Sequence, residues 1–291
     1  MSIQNTLHIL FEKIKINKDK SFWNNITLND WADTKYPWRP KTDTLFFWDK
    51  IIKNHSNIKT TKNALVGATP EIRNIFSKYK LCLDIVDYSE SMYKKMSHFC
   101  KQVDNETFIK SDWLKYFSKK KNYYDLIVGD LIERLLPDYY FSAFIKTLNK
   151  SLKTNGKLIL RIHSFNKKLP KTDIKKIINI YCKKGLNANN HQTTVGLLFF
   201  ILAPYYRTNK NEVNVVKIIE DIKNHNQKQK NKNIILKKFI TKWKNATLHF
   251  YAKDIESIYQ TLHNEGFKLE KTYNNDIGFN QSLRLTLWSK K

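Results

Sequence analysis

Asp87 ends the apolar run Leu83-Asp84-Ile85-Val86 and stands twenty residues after Gly67, which itself ends the run Ala64-Leu65-Val66. Beyond Gly67 the chain enters a helix. Thr69 can serve as its N-cap, Pro70 suits the first helical position, and Glu71 suits the positive end of the dipole. Strand, glycine turn, helix, strand, terminal acid is the order in which a doubly wound sheet holds a nucleoside-containing cofactor. The turn lets a charged ligand approach the backbone, and the acid takes the ribose hydroxyls. More side chains capable of chemistry follow similar apolar runs: Asp112 beyond Thr107–Ile109, Asp130 beyond Asp125–Val128, then Glu133 and Arg134, and His163 directly after Lys157–Ile162. All fall at the carboxyl ends of expected strands, where open α/β sheets bind ligands. There His163 could be a general base or simply a polar strand-end residue. His191, in the run NANNHQTT, could line a substrate pocket or sit in a loop with no role.

The elements that must position these residues alternate from Asn63 onward, which predicts a parallel sheet. Strands are expected at Ala64–Val66, Leu81–Val86, Thr107–Ile109, Asp125–Val128 and Lys157–Ile162. Helices are expected from Pro70, after Ser89 with Met92 and Met96 on one face, and from Asp138, with Asn155-Gly156 as a turn. Near the end of the chain, Ile255–Glu265 reads as a helix, and Phe267–Tyr273 and Ser282–Trp288 as strands. The connection between those strands is too short for a crossover helix, so they form an antiparallel hairpin at the sheet edge. Leu283, Leu285 and Leu287 alternate there with polar neighbours.

Two segments stand outside this order. Residues 1–60 are helical and aromatic, carrying Trp23, Trp31, Trp38 and Trp48, and are broken at Tyr36-Pro37-Trp38-Arg39-Pro40. They form a cap that either closes over substrate or covers the sheet. Residues 165 to about 247 form an insertion, with an apolar helix around 193–203, an amphipathic one around 212–224 and a mobile lysine/asparagine tract at 223–233. The division expected is thus a cap at 1–60 and a main domain at 61–291.

Composition narrows the function classes. The chain has 291 residues, 41% of them hydrophobic, which is enough for a real core. Its most apolar run, Val195–Ala203, is too short for a membrane span and ends at Pro204. Cys82, Cys100 and Cys182 lack disulfide or metal-site spacing, so no metal is expected, and Cys82 reads as a buried strand thiol. No secretory pattern opens the chain, and a cytoplasmic location is the default. The formal charge of +26 invites a nucleic-acid partner. Yet the basic residues are overwhelmingly dispersed lysines without interleaved aromatics, accompanied by abundant asparagine and isoleucine. That joint bias reads as compositional drift, leaving nucleic acid possible but not favoured.

The runs ALVGATPE, LDIVDYSESMYKKM, KSDWLKYF, YDLIVGDLIERLLP and LKTNGKLILRI, with the closing hairpin, resemble the class I S-adenosylmethionine-dependent methyltransferases. The likeness covers about 60–163 and 247–289. It implies a Rossmann-like seven-stranded sheet with a terminal antiparallel hairpin, and S-adenosylmethionine as cofactor. By resemblance Gly67 and Ala68 would approach the methionine part, Asp87 the ribose, Asp112 the adenine amino group with Trp113 beside the ring, and Asp130 the methyl sulfonium. The WRP segment and the GATPE loop look like a subgroup acting on small substrates, in which Arg39 would meet the cofactor carboxylate. Asp130 and His163 are then the catalytic candidates, and the acceptor an oxygen, nitrogen or sulfur nucleophile on a small molecule or peptide. Thr69 and Glu71 stand where the common G-x-G-x-G loop has glycine, and Thr69 and Ile72 where a dinucleotide loop has it. No Asn/Asp-Pro-Pro-Tyr follows strand four, which speaks against base-amine methylation. An RNA methyltransferase and a non-catalytic scaffold keeping the fold are the alternatives.

Overall fold

The computed structural model describes residues 28–55, 61–186, 191–227, 233–244 and 249–291. Trp23 and residues 228–232 of the lysine/asparagine tract lie outside them. Seven strands form one sheet: β1 (Asn63–Val66), β2 (Leu83–Asp87), β3 (Glu106–Lys110), β4 (Tyr124–Asp130), β5 (Leu152–Phe165), β6 (Phe267–Gly278) and β7 (Gln281–Lys290). Their spatial order is β3-β2-β1-β4-β5-β7-β6. The first five are parallel, and β7 runs antiparallel between β5 and β6. Order reverses between β1 and β4, so the switch point of the sheet lies at the carboxyl ends of β1, β2 and β4, beside Gly67, Asp87 and Asp130.

Every residue of β1 is buried, as helices on both faces of a parallel sheet require. On one face lie α3 (Pro70–Lys78) and α4 (Glu90–Ser97), on the other α5 (Trp113–Phe117), α6 (Asp138–Ser151) and α11 (Ile255–Asn264). The N-terminal segment contributes α1 (Leu28–Asp33) and α2 (Thr42–His55). Helix α2 covers the sheet, with Trp48 and Ile52 fully buried in the same cluster as Ile72 and Phe76. The insertion holds α7 (Ile174–Leu186), α8 (His191–Leu202), α9 (Val215–Gln227) and α10 (Ile234–Trp243) around a core of its own that reaches Phe165 and Leu283. Among the described residues, no helix is long and apolar enough to cross a membrane.

Several local expectations are corrected. Helix α9 runs through 223–227, where a mobile tract was expected, and α7 and α10 had no counterpart in the sequence reading. The hairpin lies at the sheet edge as expected, with β6 outermost and β7 between it and β5. Of the polar residues alternating with the β7 leucines, Ser282 and Thr286 are buried, the Thr286 hydroxyl donating to the Leu160 carbonyl at 3.1 Å. Asn155-Gly156 lies within β5. Cys82 is exposed, because β2 starts only at Leu83 and the chain turns Leu81 and Leu83 inward on either side of it.

Candidate functional site

At the end of β1, Gly67 has φ +90°, a conformation that an L side chain rarely adopts, and its N–H donates to the Val86 carbonyl at 3.0 Å. A Cβ there would meet only Asp87 Oδ2, at 4.0 Å, so conformation rather than crowding selects glycine. Thr69 occupies the N-cap position of α3 with Pro70 behind it, but its hydroxyl makes no cap. It donates to Asp130 Oδ2 at 3.1 Å, a charge-assisted bond. Asp87 closes β2, and its Oδ1 accepts the Ser89 N–H at 2.8 Å. Burial pushes its carboxyl up to about 6, against the downward pull of the Ser89 and Tyr88 N–H groups.

These residues line one cleft of about 920 Å³, its mouth included. Gly67, Ala68, Asp87, Met92 and Trp113 line it, and so do Trp31, Trp38, Arg134, Leu135 and Phe250, so the N-terminal segment both covers the sheet and contributes to the cleft lining. The Trp113 indole N–H donates to the Val86 carbonyl at 2.8 Å, which sets its ring against the cleft. Trp38 fits because Gly196 of α8 leaves room for the indole edge, where a Cβ would come within 3.1 Å.

Asp130 lines the cleft as well, with both oxygens engaged. The β4–β5 register sets it opposite Arg161, whose Nε donates to Oδ1 at 2.5 Å. The rest of that guanidinium donates to the Pro37 carbonyl (2.9 Å) and the Trp38 carbonyl (2.6 Å), tying the N-terminal turn to the sheet. The remaining expected residues do not line the cleft. Asp112 caps α5 through the Lys115 N–H at 3.0 Å and receives the Tyr140 hydroxyl at 2.9 Å. Arg39 stands beside the glycine loop, its Nε 2.6 Å from Glu71 Oε1. His163 is buried between Arg134, whose Nη1 lies 3.0 Å from Nδ1, and Gln281, whose Oε1 lies 3.0 Å from Nε2. Burial and the Arg134 charge hold its pKa well below the ordinary histidine value. Both ring nitrogens being engaged, a general-base role for His163 has no open nitrogen in this geometry. His191 begins α8 rather than lying in a loop.

Arg134 and Phe250 are the cleft residues that sequence reasoning left without a role. Leu131, with φ 56°, turns the chain after β4 into the short 3-10 turn Ile132–Leu135, which carries Arg134 inward. Phe250 arrives from the far side of the insertion, held because the Tyr251 N–H donates to the Arg134 carbonyl at 2.7 Å. A signal for Arg134 did exist. Only six of the 52 basic side chains are arginine. Three of the six, Arg73, Arg134 and Arg161, are fully buried, where the more weakly hydrated and geometrically fixed guanidinium is preferred to lysine.

No family model matches the sequence, and no curated protein matches it. Solved structures do resemble the fold. A Rhodobacter sphaeroides chain provisionally described as a Zn-dependent alcohol dehydrogenase is 16% identical with a TM-score of 0.57, over 94% of this chain and 98% of that one. Magnesium protoporphyrin IX methyltransferase from Synechocystis, solved with bound S-adenosylhomocysteine, is 15% identical with a TM-score of 0.48, over 86% of this chain and 82% of that one. An S-adenosylmethionine-dependent methyltransferase from Mesorhizobium loti is 10% identical with a TM-score of 0.46, over 84% and 98%. At such identities the likeness is one of fold. Among the described residues, no three His, Cys, Asp or Glu side chains gather to hold a metal ion. With five parallel strands ordered about a β1/β4 switch and an antiparallel β7 inserted before β6, the chain has the Rossmann-like fold of the class I S-adenosylmethionine-dependent methyltransferases.

Proposed function

We propose that this protein is an S-adenosylmethionine-dependent methyltransferase acting on a small molecule or peptide. The observation that carries the reading is that Asp87 and Gly67 line the same cleft as Trp31, Trp38, Trp113 and Phe250. The residues present suit such a cofactor. A partly buried carboxylate at the end of β2 would take the ribose diol, and Gly67 leaves open space above the turn. Met92, Trp113 and Ile132 offer apolar surface for a purine, and Arg39, paired with Glu71 beside the loop, is a candidate cation for a carboxylate. When bound, the cofactor supplies a methyl group already activated on a sulfonium. The protein's own part is then alignment and exclusion of water. Trp38, Leu135 and Phe250 would hold the acceptor. Asp130, with both oxygens occupied, would orient Thr69 and the N-terminal turn rather than take a proton. A dinucleotide reading gains no support from a loop with Thr69 and Ile72 in place of glycines.

Calorimetry tests the proposal. S-adenosylhomocysteine should bind in the micromolar range, on the order of −8 kcal/mol. Asp87→Ala should weaken it at least tenfold with an unchanged unfolding midpoint, because two charge-assisted hydrogen bonds of about 1.5–3 kcal/mol each are lost. Folded wild-type protein that binds neither S-adenosylmethionine nor its demethylated product would leave the scaffold alternative standing.

A further inference from the structure

Arg134 is 1% exposed and lines the cleft, yet only one of its guanidinium nitrogens has a hydrogen-bond partner. Nη1 donates to His163 Nδ1 at 3.0 Å, while Nε and Nη2 have none. Besides the nearby Glu133 carboxyl, aromatic rings surround it. The guanidinium carbon lies 3.9 Å from the centroid of Phe200, 5.5 Å from Phe199, 5.6 Å from Trp38 and 5.8 Å from Phe250. Glu133 is adjacent in sequence, but its Oε1 receives the His163 backbone N–H at 2.9 Å and no hydrogen bond joins it to Arg134. Buried donors left idle in this way are rare in folded proteins.

The orientation of Arg134 is built, not accidental. His163 accepts at Nδ1 from Arg134, so its proton sits on Nε2 and is donated to Gln281 Oε1. The Gln281 amide in turn donates to the Ile201 carbonyl at 3.0 Å. This chain fixes the Nη1 corner of the guanidinium. The free nitrogens, Nε and Nη2, make up its side edge, whose two parallel N–H bonds match the two oxygens of a carboxylate.

We propose that Arg134 recognises a carboxylate on the methyl acceptor, and that the acceptor is an aromatic acid whose ring lies against Trp38 and Phe250. The wall chemistry selects this class. The tilted and edge-to-face rings of Trp38, Phe199, Phe200 and Phe250 exclude water, which strengthens a charge-assisted pair and disfavours a heavily hydrated phosphate. The word acceptor rests on the methyltransferase reading; the acid site itself does not, and it is tested without turnover.

The probes are benzoate and 3-phenylpropionate, each against its neutral amide, titrated by calorimetry into free and S-adenosylhomocysteine-saturated protein. The acids should bind at least tenfold more tightly than their amides, and Arg134→Gln should abolish that preference while leaving homocysteine-product affinity within about twofold. The wild-type comparison needs no variant, so a poorly folding Arg134→Gln cannot obscure the result. Equal binding of acid and amide, no binding of either acid by about 10 mM, or an acid preference surviving in folded Arg134→Gln would each overturn the proposal. Failure of S-adenosylhomocysteine to bind while the acid preference persists would sink the methyltransferase reading and leave the acid site standing.

Discussion

Asp87 illustrates how one side chain can make binding depend on pH. Its carboxyl is pushed up to about 6 by burial, so in the free protein it takes a proton as the pH falls through that value. Ribose hydroxyls donate to the ionised form and would hold the bound-state pKa lower. Below about 6, binding must therefore release a proton, and affinity falls by up to about tenfold per pH unit. S-adenosylhomocysteine affinity should accordingly be flat above about pH 7 and decline between about pH 6 and 5, as calorimetry across that range would show. Glu133, whose carboxyl burial pushes up to about 7, titrates nearby. Asp87→Asn separates the two: its binding should be weaker and lose the decline below pH 6. A decline that persists in Asp87→Asn would assign it to another group.

Among the elements, the β4–β5 pair matters most, because its register brings Asp130 and Arg161 side by side and Arg161 then anchors the turn at Pro37 and Trp38. Both side chains are nearly inaccessible, at 6% and 2%. Arg161→Met leaves the Asp130 charge buried without its cation and two backbone carbonyls without donors, and should cost about 3–5 kcal/mol in urea unfolding. Asp130→Asn/Arg161→Met should regain part of that loss, because no uncompensated charge remains. If the double variant is no more stable than Arg161→Met, the carbonyl contacts rather than the ion pair dominate. Where the single variant still folds, it should also bind benzoate more weakly, since Trp38 loses its anchor.

Across the whole molecule, the charge of +26 asks for an anionic partner, yet the cleft wall is apolar and carries a single fully buried cation, Arg134. Many of the ion pairs among described lysines are on the surface, such as Lys78–Asp49 and Lys94–Glu90, and are weak in salt. RNA or duplex DNA should therefore bind weakly and without sequence preference, and filter binding should show the signal largely gone by about 200 mM salt. Small-acid binding at the cleft should survive the same salt, being poorly screened. Nanomolar binding of one RNA at high salt would promote the RNA methyltransferase alternative.

What could be read from the chain alone was whatever local patterning encodes. Apolar runs and turn residues predicted the alternation of strand and helix, the closing hairpin, and a glycine and an acid meeting at adjacent strand ends, because neighbours in sequence set these. The start of β2 was misjudged because pleat direction depends on which strands flank it. The distant segments that complete the cleft were beyond such reading. His163 meets Gln281 across 118 residues, and Arg161 meets Trp38 across 123. Asp112 and His163 carry the right chemistry in the right order, yet packing turns one towards Tyr140 and buries the other behind Arg134. Local sequence determined which groups reach the end of the sheet. Only the tertiary structure decided which of them face the cleft, because that depends on partners delivered by the N-terminal turn, the insertion and the hairpin.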